Sequence, residues 1–267
     1  MKVRIDGADI RCEEGGQGPA VVFLHAFPLG LSMWDDQAAA LEATHRVVRF
    51  DDRGFGDSPP TDGPLTMDRI ADDAAALLDH LGIDRAVVCG CSMGGYAAFA
   101  MVRRHPGRVR GLVLQDTRPG ADTEEARRAR VLVAERVLKE GAGVAAEVYL
   151  PKLVGETTHR TRPELLQRLH REILKAPPRG IAHALLGLAA RPDSQATLAE
   201  IHVPTLVVCG AEDVLTPPAE SEAIQLAIPG SRLEIIPKAG HLANLENPDA
   251  YNGALVRFLA DVHVPSS

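Results

Sequence analysis

Two kinds of apolar run follow one another along the chain. Lys2-Val-Arg-Ile5 and Ala8-Asp-Ile-Arg-Cys12 alternate apolar and polar positions and are joined by Asp6-Gly7, a dipeptide suited to a tight turn. They predict an antiparallel hairpin. Later runs do not alternate: Ala20 to Leu24, Val47 to Phe50, Ala86 to Cys89, Leu112 to Leu114 and Thr205 to Cys209, with Leu233 to Ile236 more mixed. Continuous short runs of this kind suit strands covered on both faces. Between them lie helical patterns. From Thr66 to Leu81, apolar Ile70, Ala74, Leu77, Leu78 and Leu81 recur at helical spacing and Gly82 ends the run. The alternation of strand and helix predicts an α/β fold, with a mostly parallel central sheet after an N-terminal antiparallel hairpin and helices on both faces. Ligands on such sheets gather at the carboxyl ends of the strands.

The alternation breaks between about Pro119 and Arg191. Glu124 to Lys139, Val144 to Leu153, Pro163 to Lys175 and Gly180 to Ala189 all read as helices with no strand among them. This predicts a helical cap over 119–191, inserted into a core formed by 1–118 and 192–267. The charge-rich opening of the first cap helix, Glu124-Glu-Ala-Arg-Arg-Ala-Arg130, sets carboxylates beside its arginines and reads as a solvated face. No repeat or low-complexity tract interrupts the pattern.

Composition narrows the picture. A length of 267 residues allows one sizeable core, and a net charge of −7 without a basic patch argues against nucleic acid as a partner. The opening residues lack the apolar run of a secretory signal, and no segment approaches the ~20 apolar residues needed to span a bilayer. A soluble, cytoplasmic protein that does not act on membranes is expected. Composition says nothing of oligomeric state. Of the four cysteines, Cys12, Cys89, Cys91 and Cys209, three lie in or at the ends of β-type runs, which favours packing over disulfides or zinc.

The chemistry concentrates at three places. Gly90-Cys91-Ser92-Met93-Gly94 stands between a strand and a helix-compatible stretch, so the turn would expose the Ser92 hydroxyl, and glycines at its flanks would let strand and helix pass closely. A serine hydroxyl needs a base within reach. His241, in Pro237-Lys-Ala-Gly-His-Leu beyond the last strand, is the candidate. The base in turn needs a carboxylate to hold its tautomer, and Asp213, just past the strand that ends at Cys209, fits; Asp116, past the preceding strand, is its rival, and Glu212 should point elsewhere. Negative charge developing on a substrate carbonyl calls for preorganised donors. The backbone amides of Phe27, in His25-Ala-Phe-Pro-Leu-Gly30, and of Met93 are assigned to that oxyanion hole. His25 itself either borders the substrate pocket or braces this loop.

With Ser92, Asp213 and His241 in that order, the chain resembles the α/β-hydrolase fold superfamily over nearly its whole length, with the cap after the sixth strand. Within it the pattern is similar to serine esterases and 3-oxoadipate enol-lactonases. Asp51-Asp-Arg-Gly-Phe-Gly-Asp-Ser58 resembles a loop that supports the site in that family. The resemblance implies a carboxylic ester hydrolase working through an acyl-enzyme on a small-molecule ester or lactone, with no metal or organic cofactor. Epoxide hydrolases and haloalkane dehalogenases of the superfamily use aspartate where this chain has Ser92. The alternatives are an enol-lactonase or carbon–carbon bond hydrolase with the same triad and, from another class, a ligand-binding protein with a vestigial site. An anionic lactone would need an arginine in the pocket; the cap offers Arg127, Arg128, Arg162, Arg168 and Arg171. Further pocket candidates are Tyr149, Leu215 and Trp34, the last of which either lines the acyl pocket or packs on the sheet.

Overall fold

The computed structural model describes residues 1–262. Eight strands, β1 (Lys2–Ile5), β2 (Ala8–Gly15), β3 (Ala20–Leu24), β4 (Arg46–Phe50), β5 (Ala86–Cys91), β6 (Val109–Gln115), β7 (Thr205–Gly210) and β8 (Arg232–Ile236), form one sheet in the order β1-β2-β4-β3-β5-β6-β7-β8. The hairpin β1–β2 and the pair β2–β4 are antiparallel; every other pair is parallel. β3, β5 and β7 are buried along their whole length, which accounts for their unbroken apolar sequence. β2 extends to Gly15, past the expected end at Cys12, because its second half leaves β1 and pairs with β4, Cys12 opposite Phe50.

The helices are α1 (Asp35–Leu41), α2 (Met67–His80), α3 (Met93–Arg104), α4 (Glu124–Glu140), α5 (Gly143–Leu153), α6 (Glu156–Thr161), α7 (Pro163–Lys175), α8 (Pro178–Ala189), α9 (Gln195–Leu198), α10 (Pro218–Ala227), α11 (Ala243–Glu246) and α12 (Pro248–Val262). α2 packs on α3, which lies on β3, β5 and β6, while α1 packs on α12. The Thr66 hydroxyl caps α2 by accepting from the Arg69 amide. No described helix is long and apolar enough to cross a membrane.

Six helices, α4 to α9, stand between β6 and β7; α4, α5, α7 and α8 match expected helical segments, and α6 and the short α9 do not. α6, Glu-Thr-Thr-His-Arg-Thr, has no apolar stripe to betray it. This helical segment crosses the loops that follow β3, β4 and β8. A Cβ on Gly180 of α8 would lie 2.0 Å from the Gly54 carbonyl oxygen, one on Gly187 would lie 1.7 Å from that of Leu65, and the Leu65 amide donates to His183 O at 2.9 Å. Backbone therefore meets backbone where α8 joins the body of the protein.

Candidate active site

Because β3, β5, β6, β7 and β8 run parallel, the residues that leave their carboxyl ends collect along one edge of the sheet. Ser92 stands between the last residue of β5 and the first of α3 with φ 53° and ψ −108°, a conformation that costs a non-glycine residue about 1–3 kcal/mol. Its neighbours explain how the turn is tolerated. A Cβ on Gly90 would lie 2.2 Å from Gly94 O, and one on Gly94 would lie 2.1 Å from Leu24 O, so strand, helix and adjacent strand cross with no room for a methyl group. The Ser92 amide donates to Gln115 O (2.9 Å), and the Thr117 hydroxyl donates to Ser92 O (3.0 Å). Cys91 and Met93 are fully buried while Ser92 between them is only half-buried.

His241 and Asp213 meet at the same edge. His241 Nδ1 lies 2.8 Å from Asp213 Oδ2, both residues being buried. Asp213 also accepts from the amides of Leu215 (2.8 Å) and Thr216 (3.1 Å) and from the Thr216 hydroxyl (2.7 Å). Burial would raise the Asp213 pKa, but His241 and then the Thr216 donors outweigh it and hold the carboxyl below the usual range. A carboxylate at Nδ1 assigns the proton to that nitrogen and leaves Nε2 with a lone pair. The Cys91 thiol lies 3.8 Å from His241 O, which ties the histidine to the residue before Ser92.

The loop carrying His241 is fastened by a residue that the sequence did not single out. Glu246, buried on α11, accepts at Oε1 from the amides of Gly240 (2.8 Å) and Leu242 (3.2 Å), which flank His241. Its Oε2 accepts from the Gly155 amide (2.7 Å) ahead of α6. One carboxylate thus clamps the histidine loop to the helical segment. The only signal for it was a charge ending the mostly apolar stretch Leu242-Ala-Asn-Leu245. Arg162 adds bonds to Leu245 O (2.8 Å) and Glu246 O (3.0 Å), and Glu212 turns away from Asp213 to accept from the amide and hydroxyl of Thr157.

Asp116, the rival acid, is fully buried at φ 44° and accepts from Gly210 N (2.8 Å) and Gln115 Nε2 (3.1 Å). Burial, and then the charge of Asp213, push its pKa well above the ordinary carboxylate value, opposite in direction to the shift of Asp213. The geometry gives His241 to Asp213. Asp116, Cys209 and Asp213 offer atoms within 4.8 Å of one another, but the four carboxylate oxygens already accept hydrogen bonds from protein donors.

The loop after β3 brings Phe27 to the same edge. The amides of Ala26 and Leu29 are bonded to Met33 Sδ and Ala26 O, and that of Phe27 stands outside these bonds. Met93, the first residue of α3, has no intrahelical acceptor for its amide. Tyr149 of α5 reaches across to Phe27, with ring centroids 5.2 Å apart and planes 84° apart. Leu215 is half-buried beside Asp213. Two pocket candidates are corrected. His25 is fully buried with Nδ1 3.0 Å from Ala26 O and Nε2 accepting from Asp52 N at 3.0 Å, so it braces the loop. Trp34 is buried between Phe23 of β3 (4.8 Å) and Tyr251 of α12 (6.4 Å), where an indole packs on the sheet. The Asp51–Ser58 loop supports the site from below: Asp51 Oδ1 accepts from Leu31 N (2.7 Å), and Arg53 holds Asp73 with two bonds of 2.6 and 2.8 Å.

The five arginines that the cap offers as possible partners for an anion are engaged or exposed elsewhere. Arg128 pairs with Glu124, Arg162 serves the histidine loop, Arg168 bonds Ser32 O and Glu172, and Arg127 and Arg171 are exposed. A different set gathers under the helical segment. Arg118, Arg130 and Arg191 surround the Asp122 carboxylate at 3.5, 2.5 and 2.6 Å.

Comparison with known proteins agrees with this architecture. A profile described as alpha/beta hydrolase fold matches residues 19–248. The chain is 32% identical to 3-oxoadipate enol-lactonase 2 of Acinetobacter baylyi, over 89% of this chain and 87% of that one. Among solved structures, a malate-bound thermophilic esterase from Thermogutta terrifontis superposes with a TM-score of 0.95 at 43% identity, covering 98% of this chain and 97% of that one. The enol-lactonase from Burkholderia xenovorans superposes with a TM-score of 0.91 at 30% identity, covering 97% and 100%. With the eight-stranded sheet, the strained serine turn and this likeness along nearly its full length, the chain belongs to the alpha/beta hydrolase fold family.

Proposed function

We propose that the protein is a carboxylic ester hydrolase in which Ser92 is the nucleophile, His241 the base and Asp213 its orienting acid. The observation that carries this reading is the 2.8 Å bond from His241 Nδ1 to Asp213, which leaves Nε2 free as a base at the edge where Ser92 is held in its strained turn. Ser92 Oγ attacks the ester carbonyl as its proton passes to Nε2. The oxyanion is met by the Phe27 and Met93 amides, His241 returns the proton to the departing alkoxide, and the acyl group remains on Ser92. Water, deprotonated by the same nitrogen, then attacks the acyl-enzyme and releases the acid. These steps are complete with side chains, amides and water, without a cofactor.

Residues 119–191 serve as a cap over a core of 1–118 and 192–267, with Tyr149 and Leu215 as pocket walls. A roofed pocket favours short acyl chains, and the protein acts in the cytoplasm on small molecules. The enol-lactonase relatives support a second reading, in which the same triad opens a lactone. The test is hydrolysis of p-nitrophenyl acetate, butyrate and octanoate beside Ser92→Ala. Activity that falls with chain length and vanishes in the variant is expected. Absence of turnover on all three would overturn the esterase reading.

A further inference from the structure

Behind the candidate triad the side chains of Gln37, Gln115, Asp116 and Asn244 are fully buried and joined in one hydrogen-bonded chain. Asn244 stands at its centre. Its Oδ1 accepts from Gln115 Nε2 (3.0 Å), and its Nδ2 donates to Met33 O (2.8 Å) and to Gln37 Oε1 (3.1 Å). Its own carbonyl accepts from Gln37 Nε2 (3.3 Å). Its neighbours Leu242, Ala243 and Leu245 are buried and apolar. Leucine, branched at the same carbon as asparagine, would pack among them with no amide to desolvate. Packing alone therefore does not account for an amide at this position.

The partners of Asn244 lead to every part of the candidate site. Gln115 accepts the Ser92 amide at its carbonyl (2.9 Å) while its side chain donates to Asn244. Gln115 Nε2 also donates to Asp116 Oδ2 (3.1 Å), Asp116 Oδ1 accepts from Gly210 N (2.8 Å), and Gly210 O accepts from the Asp213 amide (3.2 Å). On the other side, Met33 accepts at Sδ from the amide of Ala26 (3.1 Å), the residue before Phe27. Asn244 itself lies on α11, three residues after His241. One planar amide, accepting on one side and donating on the other, thus spaces the serine turn, the acid loop and the oxyanion loop from the helix that follows the histidine.

We infer that Asn244 is a positioning residue for the triad: it fixes the separation of His241 from Ser92 and keeps the oxyanion loop in register with both. This rests on the reading of Ser92 as the nucleophile and His241 as its base. Asn244 acts through Gln115 and Met33, and a displacement of ~1 Å at reacting groups costs on the order of 10²-fold in rate. Because the side chain is enclosed by protein, the effect belongs to kcat, with KM little changed. The competing account is a chain that only stabilises the sheet edge; it predicts lost stability with full turnover by the protein that remains folded.

The experiment measures kcat and KM for p-nitrophenyl butyrate, with thermal denaturation, in wild type, Asn244→Leu, Gln115→Leu, the double variant and Ser92→Ala. Each single variant of the pair should lose about tenfold or more in kcat with KM within about twofold. The double variant should fall little further, since both substitutions cut the same link. Full kcat in folded Asn244→Leu, a loss confined to KM, or losses that multiply in the double variant each overturn the inference. If Asn244→Leu does not fold, Asn244→Ser is read in the same way, and loss of fold in both makes the residue structural and overturns it. Turnover that persists in Ser92→Ala overturns the reading of Ser92 as nucleophile, and the inference with it. If wild type hydrolyses no ester, the rate at which diisopropyl fluorophosphate labels Ser92, read by mass spectrometry, replaces kcat. A rate about tenfold lower in Asn244→Leu supports the inference; an unchanged rate, or an unlabelled wild type, overturns it.

Discussion

The turn that presents Ser92 and the loop that presents His241 do the same geometric task by opposite means. The serine turn is held by what is missing: Gly90 and Gly94 omit side chains so that three backbones can cross, and the strain is absorbed by Ser92 itself. The histidine loop is held by what is added, the Glu246 carboxylate gripping the amides on both sides of His241 and a third in the helical segment. A steric device tolerates no substitution at its crossing points but needs no distant partner. A polar device admits partial replacement, yet it transmits any change in its remote contacts to the residue it positions.

The largest expected effect tests the steric half. Gly94→Ala sets a methyl against the Leu24 carbonyl and should abolish folded protein or remove more than about 3 kcal/mol of stability, read by thermal denaturation. Ser92→Gly should do the reverse, raising stability by about 1 kcal/mol as the positive φ is relieved, while ester hydrolysis is lost. Unchanged stability there would show that the turn stores no strain.

Next, Asp213→Asn should lower kcat about 10⁴-fold with little loss of fold, because an amide supports the wrong imidazole tautomer. Asp116→Asn, at a side chain that bonds Gly210 and Gln115 while His241 bonds Asp213, should cost under about tenfold. Equal losses in the two would contradict the assignment of the acid.

Glu246→Gln tests the polar half. The amide keeps one acceptor and loses the charge, so kcat should fall about 10- to 100-fold and stability by about 1–3 kcal/mol, since the amides of Gly240, Leu242 and Gly155 cannot all be satisfied. A loss of stability with kcat intact would make Glu246 a strut and not a positioning residue.

The smallest effect lies beneath the oxyanion loop. Burial raises the Asp52 carboxyl from 3.8 to about 6. The native state then binds more protons than the unfolded chain in that interval, so this group's stabilising contribution is full below pH 3.8 and is lost as pH rises through about 6. Asp52→Asn should flatten that decline in urea titrations, and an unchanged slope would remove Asp52 as its source.

The same contrast explains what could be read before the fold was known. The serine turn is written in five consecutive residues, so its strand, its glycines and its nucleophile were legible together. Asp213 and His241 were legible because each follows a strand whose apolar run marks where it ends. Glu246 was not, since its partners lie 6, 4 and 91 positions away and only folding brings them to one carboxylate. The buried arginines were not legible for a related reason. All the helices of the 119–191 segment but α6 were recognised, but which side faces inward depends on how α4, α5 and α8 pack, so five arginines were named and the buried trio of Arg118, Arg130 and Arg191 was not. For Trp34 both readings fitted its place after β3, and contact with Phe23 and Tyr251 decided for packing.

The four cysteines are all free and buried, and burial raises each thiol pKa, so none presents a reactive thiolate in the native state. Because the four thiols are spread over three strands, with Cys12 in β2, Cys89 and Cys91 in β5 and Cys209 in β7, the chain carries its own reporters of local opening. An alkylating reagent applied to the folded protein would mark each strand only as fast as that strand becomes exposed. Labelling order, read peptide by peptide, would rank the antiparallel strand β2, the central strand β5 and the β7 strand by the free energy each needs to open, without a single engineered probe.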